Sequence, residues 1–179
     1  MKHNDDEIES KNEDKTQFIT FRVQNYEYGV EMDNVKEIKG TMHITSLPNT
    51  PQYVLGVINL RGTVVPVFDL KCRFGLGHSE TTKNHVILIL TIGTKLMGLL
   101  ADSVNEIMTV SSSEIRNVPL IQVSDLNEEE SIFKGIVNID NRMIVLLNAD
   151  QIFDNNVDIF HESMSQDFDT YNASKIKVD

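Results

Sequence analysis

At 179 residues with a 40% hydrophobic content, the chain is long enough for one ordinary domain or two small ones with a packed interior. A net charge of −11 without a basic stripe argues against nucleic acid, where phosphate neutralisation supplies most of the affinity, and no Lys/Arg-rich amphipathic helix is present to bind anionic lipid. The single Cys72 allows no internal disulfide, no apolar run is as long as a membrane span, and the N-terminus lacks a signal-peptide pattern, so a cytoplasmic protein acting on proteins or small ligands is expected.

Residues 1–15 are an acidic, solvated tail with one isolated Ile. A strand rich in β-branched and aromatic residues runs over 17–23, a turn falls at Asn25, and 27–33 alternates with Tyr28, Val30 and Met32 on one face. A short segment over 35–38 ends at Gly40, and Pro48 and Pro51 punctuate the loop that follows. Strands over 54–60 and 63–68 join at Arg61-Gly62, and Pro66 predicts an edge position or a bulge for the second. A short helix over 69–74 takes Asp69 as N-cap and Gly75 as terminator. Strands over 85–92 and 95–101 form a hairpin around Gly93-Thr94, followed by 104–107, a polar loop over 111–131, strands near 133–139 and 142–147, and a helical turn over 148–153. Beyond Asn155 the text is polar and acidic again and reads as a tail rather than a weak amphipathic helix.

The two halves repeat. Gly29, Val35, Glu37 and Ile38 recur as Gly98, Val104, Glu106 and Ile107, each 69 positions on. Gly56-Val57-Ile58-Asn59-Leu60 recurs as Gly135-Ile136-Val137-Asn138-Ile139 at an offset of 79, and the apolar run 64–68 recurs as 143–147. Alternating aliphatic residues would match between any two β-rich halves, but the paired glycines, the two Val-x-Glu-Ile tetrads and the two Gly-x-x-Asn segments point to a duplication. Two copies of five short strands predict an all-β fold of two tandem five-stranded β-barrels, with short helical segments; closing each sheet limits its open edges. The expected boundary lies near 80–84 within a domain over 16–154, flanked by tails over 1–15 and 155–179, with exchange of strands between the barrels left open.

Candidates for chemistry are thin. The five histidines, His3, His43, His78, His85 and His161, sit at unrelated spacings, and none pairs with another or with Cys72 at a metal-ligand interval. Ser111-Ser112-Ser113-Glu114 resembles a cap or turn more than a nucleophile, Gly75-Leu76-Gly77 is too short for a phosphate fingerprint, and Glu128-Glu129-Glu130 reads as a solvated loop. No catalytic residue, metal or cofactor is expected. Asn59-Leu60-Arg61-Gly62 places an Arg on a hairpin turn where it either projects toward a partner or is simply solvated, and the tetrad alone does not decide.

The stretch from Val57-Ile58-Asn59-Leu60-Arg61-Gly62 into Thr63-Val64-Val65-Pro66-Val67-Phe68-Asp69-Leu70 resembles the signature of the CheW family of chemotaxis coupling proteins. Glu27-Tyr28-Gly29-Val30 and Val35-Lys36-Glu37-Ile38-Lys39-Gly40 are similar to that family's first hairpin and following segment, and the likeness extends over roughly 16–154. The resemblance implies SH3-like barrels and a non-enzymatic adaptor joining the cytoplasmic tip of chemoreceptors to the regulatory domain of a CheA-type histidine kinase, without membrane insertion, in the cytoplasm at receptor arrays. It assigns Ile19, Met32, Val35 and Arg61 to the kinase and Glu37, Gly56 and Val86 to the receptor. For Ile19, Met32 and Val35 the alternative is barrel core, and for Glu37 an exposed edge charge. The chain is too short for a fused receiver domain, so the CheV type of coupling protein is not expected. The rival readings are a ligand binder or enzyme with a pocket between the barrels, which needs clustered polar groups at their seam, and an adaptor for a kinase pathway outside taxis.

Overall fold

The computed structural model describes residues 14–80, 84–118 and 132–153. Most of the 111–131 loop and the two tails therefore lie outside the described residues. Ten strands form: β1 Lys15–Val23, β2 Tyr26–Glu31, β3 Val35–Gly40, β4 Val54–Leu60, β5 Thr63–Asp69, β6 Val86–Ile92, β7 Lys95–Ala101, β8 Ser103–Ser111, β9 Phe133–Ile139 and β10 Arg142–Leu147. Two short helices, α1 Leu70–Arg73 and α2 Ala149–Ile152, each follow the last strand of a half. The expected all-β architecture is present. Two details differ: the alternation of β2 stops at Glu31, where Met32–Asn34 turns into a 3-10 segment, and β8 is longer than the tetrad suggested.

Strand order is β8-β1-β2-β10-β9 in one five-stranded sheet, barrel I, and β3-β6-β7-β5-β4 in the other, barrel II. Under the repeat these orders are equivalent. Each barrel takes the first two strands of one half and the last three of the other, so the halves exchange strands. The chain crosses at the turn Met32–Asn34 and again at Asp102, and the joined halves meet in four strand pairs, β2 with β10 and β5 with β7 parallel, β1 with β8 and β3 with β6 antiparallel. No single cut between 80 and 84 separates the barrels.

The exchange explains why several strands lack a polar face. Along β6, Ile87 and Ile89 point into barrel II while Leu88 and Leu90 point at barrel I. Along β10, Ile144 and Leu146 fill barrel I while Leu147 joins the layer between the barrels. Period-2 alternation still holds, but both faces are buried, and each fully buried aliphatic side chain contributes about 2 kcal/mol. Phe74, just after α1, packs its ring 5.5 Å from Tyr28 and 5.6 Å from Phe133, both on barrel I. Its repeat counterpart Phe153, just after α2, packs 4.6 Å from Phe68 on barrel II. Each half thus places an aromatic plug on the opposite barrel.

Pro66 does not mark an edge. It lies on β5, an interior strand, opposite Val57 of β4, and the ladder to β7 begins one residue later at Val67. A proline is accommodated there because the missing N–H falls outside the parallel ladder.

Both barrels close through one short bridge. In barrel II, Thr45 exchanges hydrogen bonds of 2.9 Å with Val57 across the gap between β3 and β4. In barrel I, Arg116 does the same with Ile136, donating at 2.9 Å and accepting at 2.8 Å. The glycines of the two Gly-x-x-Asn segments, Gly56 and Gly135, sit at these closures. Gly56 has φ +140°, and a Cβ there would stand 2.1 Å from the Thr45 carbonyl oxygen; at Gly135 it would stand 2.9 Å from that of Arg116.

Asp69 caps α1 as expected and is fully buried. Its carboxylate accepts from the N–H groups of Lys71 (3.0 Å), Cys72 (3.3 Å) and Ser79 (2.7 Å) and from the Ser79 hydroxyl (2.7 Å). A buried carboxylate is tolerable when its lone pairs are met in this way. The same contacts hold the segment after Phe74 in place.

Three substitutions, read by unfolding, test the barrel closure and the cap. Gly56→Ala is expected to lose on the order of 3 kcal/mol in denaturant unfolding, because the chain must move the Thr45 bridge and adopt a strained φ. Gly40→Ala, with open space around its Cβ, should stay within about 0.5 kcal/mol of wild type. Asp69→Ala should cost about 3 kcal/mol by orphaning buried donors; a melting temperature equal to wild type would refute the capping role.

Candidate docking surface

Strand β3 is the outer strand of barrel II, pairing with β6, and its burial alternates: Lys36, Ile38 and Gly40 are exposed, Val35, Glu37 and Lys39 half-buried. The β4–β5 hairpin brings a second element to the same place. Its turn needs positive φ at both central residues, and Arg61 (φ 51°) and Gly62 (φ 88°) supply them. The Asn59 side chain accepts from the Gly62 N–H at 2.7 Å, which fixes the loop. The geometry throws the Arg61 side chain outward to 69% exposure, and its Nη2 reaches Glu37 Oε1 at 2.5 Å.

Glu37 is the hub of this cluster. Lys39 Nζ lies 2.9 Å from its other oxygen. The Lys39 hydrogen bond, and then the Arg61 guanidinium, hold its carboxyl below the usual carboxylate range. The next residue, Ile38, is 41% exposed on the opposite face of β3.

The other residues singled out in the sequence are placed as follows. Ile19 is 4% exposed, sits between Val30 and Ile107 on neighbouring strands, and belongs to the core between the barrels. Met32, on the 3-10 turn, and Val35, at the start of β3, are half-buried and pack on that core while leaving part of each side chain outside. Gly56 is buried, and the close approach that it permits is filled by the chain's own Thr45 backbone. Val86 is half-buried opposite Gly40 and Ala101. It follows His85, whose Nε2 lies 3.0 Å from Asp102 Oδ1. Glu37 and Arg61 are thus brought into direct contact although the resemblance assigned them to different partners.

Barrel I carries a second charged cluster around Glu106, the repeat counterpart of Glu37, although the position equivalent to Arg61 is Asp140 and the arginine there, Arg142, is equivalent to Thr63. Glu106 lies 2.5 Å from Arg142, which also reaches Glu27 at 3.1 Å, and Asn105 donates to Glu27 at 3.0 Å. Around them Tyr26, Ile107 and Met143 are exposed by 49%, 52% and 57%. Ile38, Lys39 and this second cluster were not singled out in the sequence. The signal was present in the two Val-x-Glu-Ile tetrads, whose terminal Ile is a surface residue both times, but an isoleucine in a strand is by default core.

Among the described residues there is no cluster of His, Cys, Asp and Glu that could hold a metal ion. The burial of Cys72 pushes its thiol up, away from reactivity.

Comparison with known proteins accounts for this arrangement. The family model for the CheW-like domain matches residues 17–157. A probable chemotaxis protein CheW of Rhizobium etli is 40% identical over 146 residues, covering 82% of this chain and 92% of that protein. The chemotaxis protein CheW of Rhizobium meliloti is 42% identical over 137 residues, covering 76% and 86%. The crystal structure of the scaffolding protein TtCheW from Thermoanaerobacter tengcongensis superposes with a TM-score of 0.69 at 30% identity, over 87% of this chain and 96% of that one. A match that spans both barrels and both crossings, in sequence and in structure, makes this chain a member of the CheW family.

Proposed function

We propose that the protein is a non-catalytic adaptor that holds chemoreceptors and a CheA-type histidine kinase together in signalling arrays. The observation that carries this reading is the family match across residues 17–157, supported by the exposed cluster of Glu37, Lys39 and Arg61 that the β3 edge and the β4–β5 turn bring together. Arg61, with the outer parts of Met32 and Val35, faces the kinase regulatory domain; Glu37 and Val86 face the receptor tip. Ile19 acts from beneath, by supporting this surface from the inter-barrel core, and Gly56 by letting the Thr45 bridge close the barrel. An adaptor of this kind works by raising effective concentration and fixing geometry rather than by making bonds. No helix among the described residues is long and apolar enough to cross a membrane, and we place the protein in the cytoplasm, brought to the membrane by its receptors.

Isothermal titration of the full chain with the regulatory domain of the cognate kinase tests the reading. Arg61→Ala and Met32→Glu should each weaken binding about tenfold, the scale of a well-placed interface residue, with circular dichroism unchanged. A folded wild-type protein that binds neither kinase nor receptor would overturn the adaptor role.

A further inference from the structure

We propose that segment 157–171 of this same chain docks as an amphipathic helix on the outer face of β2 and β10 in barrel I, where Tyr26 and Met143 stand exposed.

The face follows from the strand register. Tyr28 lies opposite Val145 in the parallel β2–β10 ladder. Side chains opposite one another, or two residues apart along a strand, share a face, so Tyr26 and Met143 stand side by side one step further along. Across β9 the face continues through Ile136, opposite Val145, and Asn138, opposite Met143. Its inner end is covered: Phe74 packs on Tyr28, and Val145 is half-buried against the layer between the barrels. Its outer end is open, with Tyr26 49% and Met143 57% exposed. Barrel II lacks this feature. The positions equivalent to Tyr26 and Met143 at the repeat offsets are Lys95 and Val64, both half-buried.

The chain itself supplies an occupant. Residues 154–179 lie outside the described residues, and their sequence carries Val157, Phe160, Met164, Phe168 and Tyr171 at spacings of three, four, four and three. That spacing puts all five on one side of a helix, with Asp158, Glu162, Gln166 and Asp169 on the other. Asn156 precedes the stripe as an N-cap, and Asp158 falls in the first turn, where the helix dipole favours a carboxylate. The acidic polar side suits a protein surface and not an anionic bilayer.

Reach and starting point agree. The described chain ends at Phe153, in the same inter-barrel layer against which Val145 packs. Met143 lies four residues back along β10 from Leu147, about 13 Å. A helix over 157–171 would be about 22 Å long. An isolated helix of this length is marginal in water, which is why the segment reads as a tail until an apolar face is available to bury its stripe. The exposed Tyr26 and Met143 extend the layer from which the segment departs.

Hydrogen–deuterium exchange of the full chain, read on peptides within 154–179, tests the docking. Wild-type amides over 161–171 should exchange at least about tenfold more slowly than in an unfolded chain. Tyr26→Ser combined with Met143→Ser should remove that protection, and so should Phe160→Ser combined with Met164→Ser, while the strands keep theirs. If the first variant loosens the strands as well, the second, whose changes lie outside the barrels, decides. Protection should be unchanged over a hundredfold dilution, because the contact lies within one chain. Unprotected wild-type amides would overturn the proposal. So would protection that survives either double substitution with the strands intact, which places the helix elsewhere, or protection that fades on dilution, which makes the occupant a second copy. The adaptor reading stands apart from all of these outcomes, since it is tested by kinase and receptor binding.

Discussion

The layer of side chains between the two barrels is the constraint from which the rest of the structure follows. Phe21, Tyr28, Leu88, Leu90, Leu99 and Phe68 meet there from both sheets and are almost completely buried. Neither half can bury these residues alone, because each half contributes its first two strands to one barrel and its last three to the other. The exchange makes the barrels one cooperative unit. The aromatic plugs reinforce it, with Phe74 set against barrel I and Phe153 against barrel II, each held by a capped turn at its base. At the second crossing Asp102 adds a polar tie: its carboxylate accepts from the Gln24 N–H of barrel I at 2.6 Å and meets His85 of barrel II at 3.0 Å.

That rigidity serves the surface. A docking patch made of an edge strand and a hairpin turn keeps its geometry only if both are fastened to something that does not move. β3 is fastened to β6 through an antiparallel ladder, and the β4–β5 hairpin is fastened to β7 through the parallel ladder. The Thr45 bridge at Gly56 then closes the sheet between them. Arg61 and Glu37 meet because three elements from separate parts of the chain are locked in one frame. An adaptor that fixes the relative position of two larger partners needs this more than it needs a pocket.

Edge strands carry a cost that the sequence also manages. β3 presents Lys36, Glu37 and Lys39 within six residues, and β8 presents Asn105 and Glu106, so a stray β-strand would have to desolvate charge to pair there. The exposed Ile38 shares its face of β3 with Lys36, whose charge guards that side of the edge.

Local chemistry settled much of this in advance. Alternation and turn residues placed nearly every strand, the Arg61-Gly62 turn and the Asp69 cap, since each depends on residues only a few positions apart. The duplication was legible too, because equivalent closures require a glycine at the same place twice. Only the tertiary structure decided which half supplies each strand, since a period-2 pattern is satisfied equally by pairing within a half or between halves. The same long-range pairing made Pro66 interior, buried Ile19, filled the space at Gly56 with Thr45 and joined Glu37 to Arg61. Those outcomes depend on what lies across the sheet, which no stretch of neighbouring residues encodes.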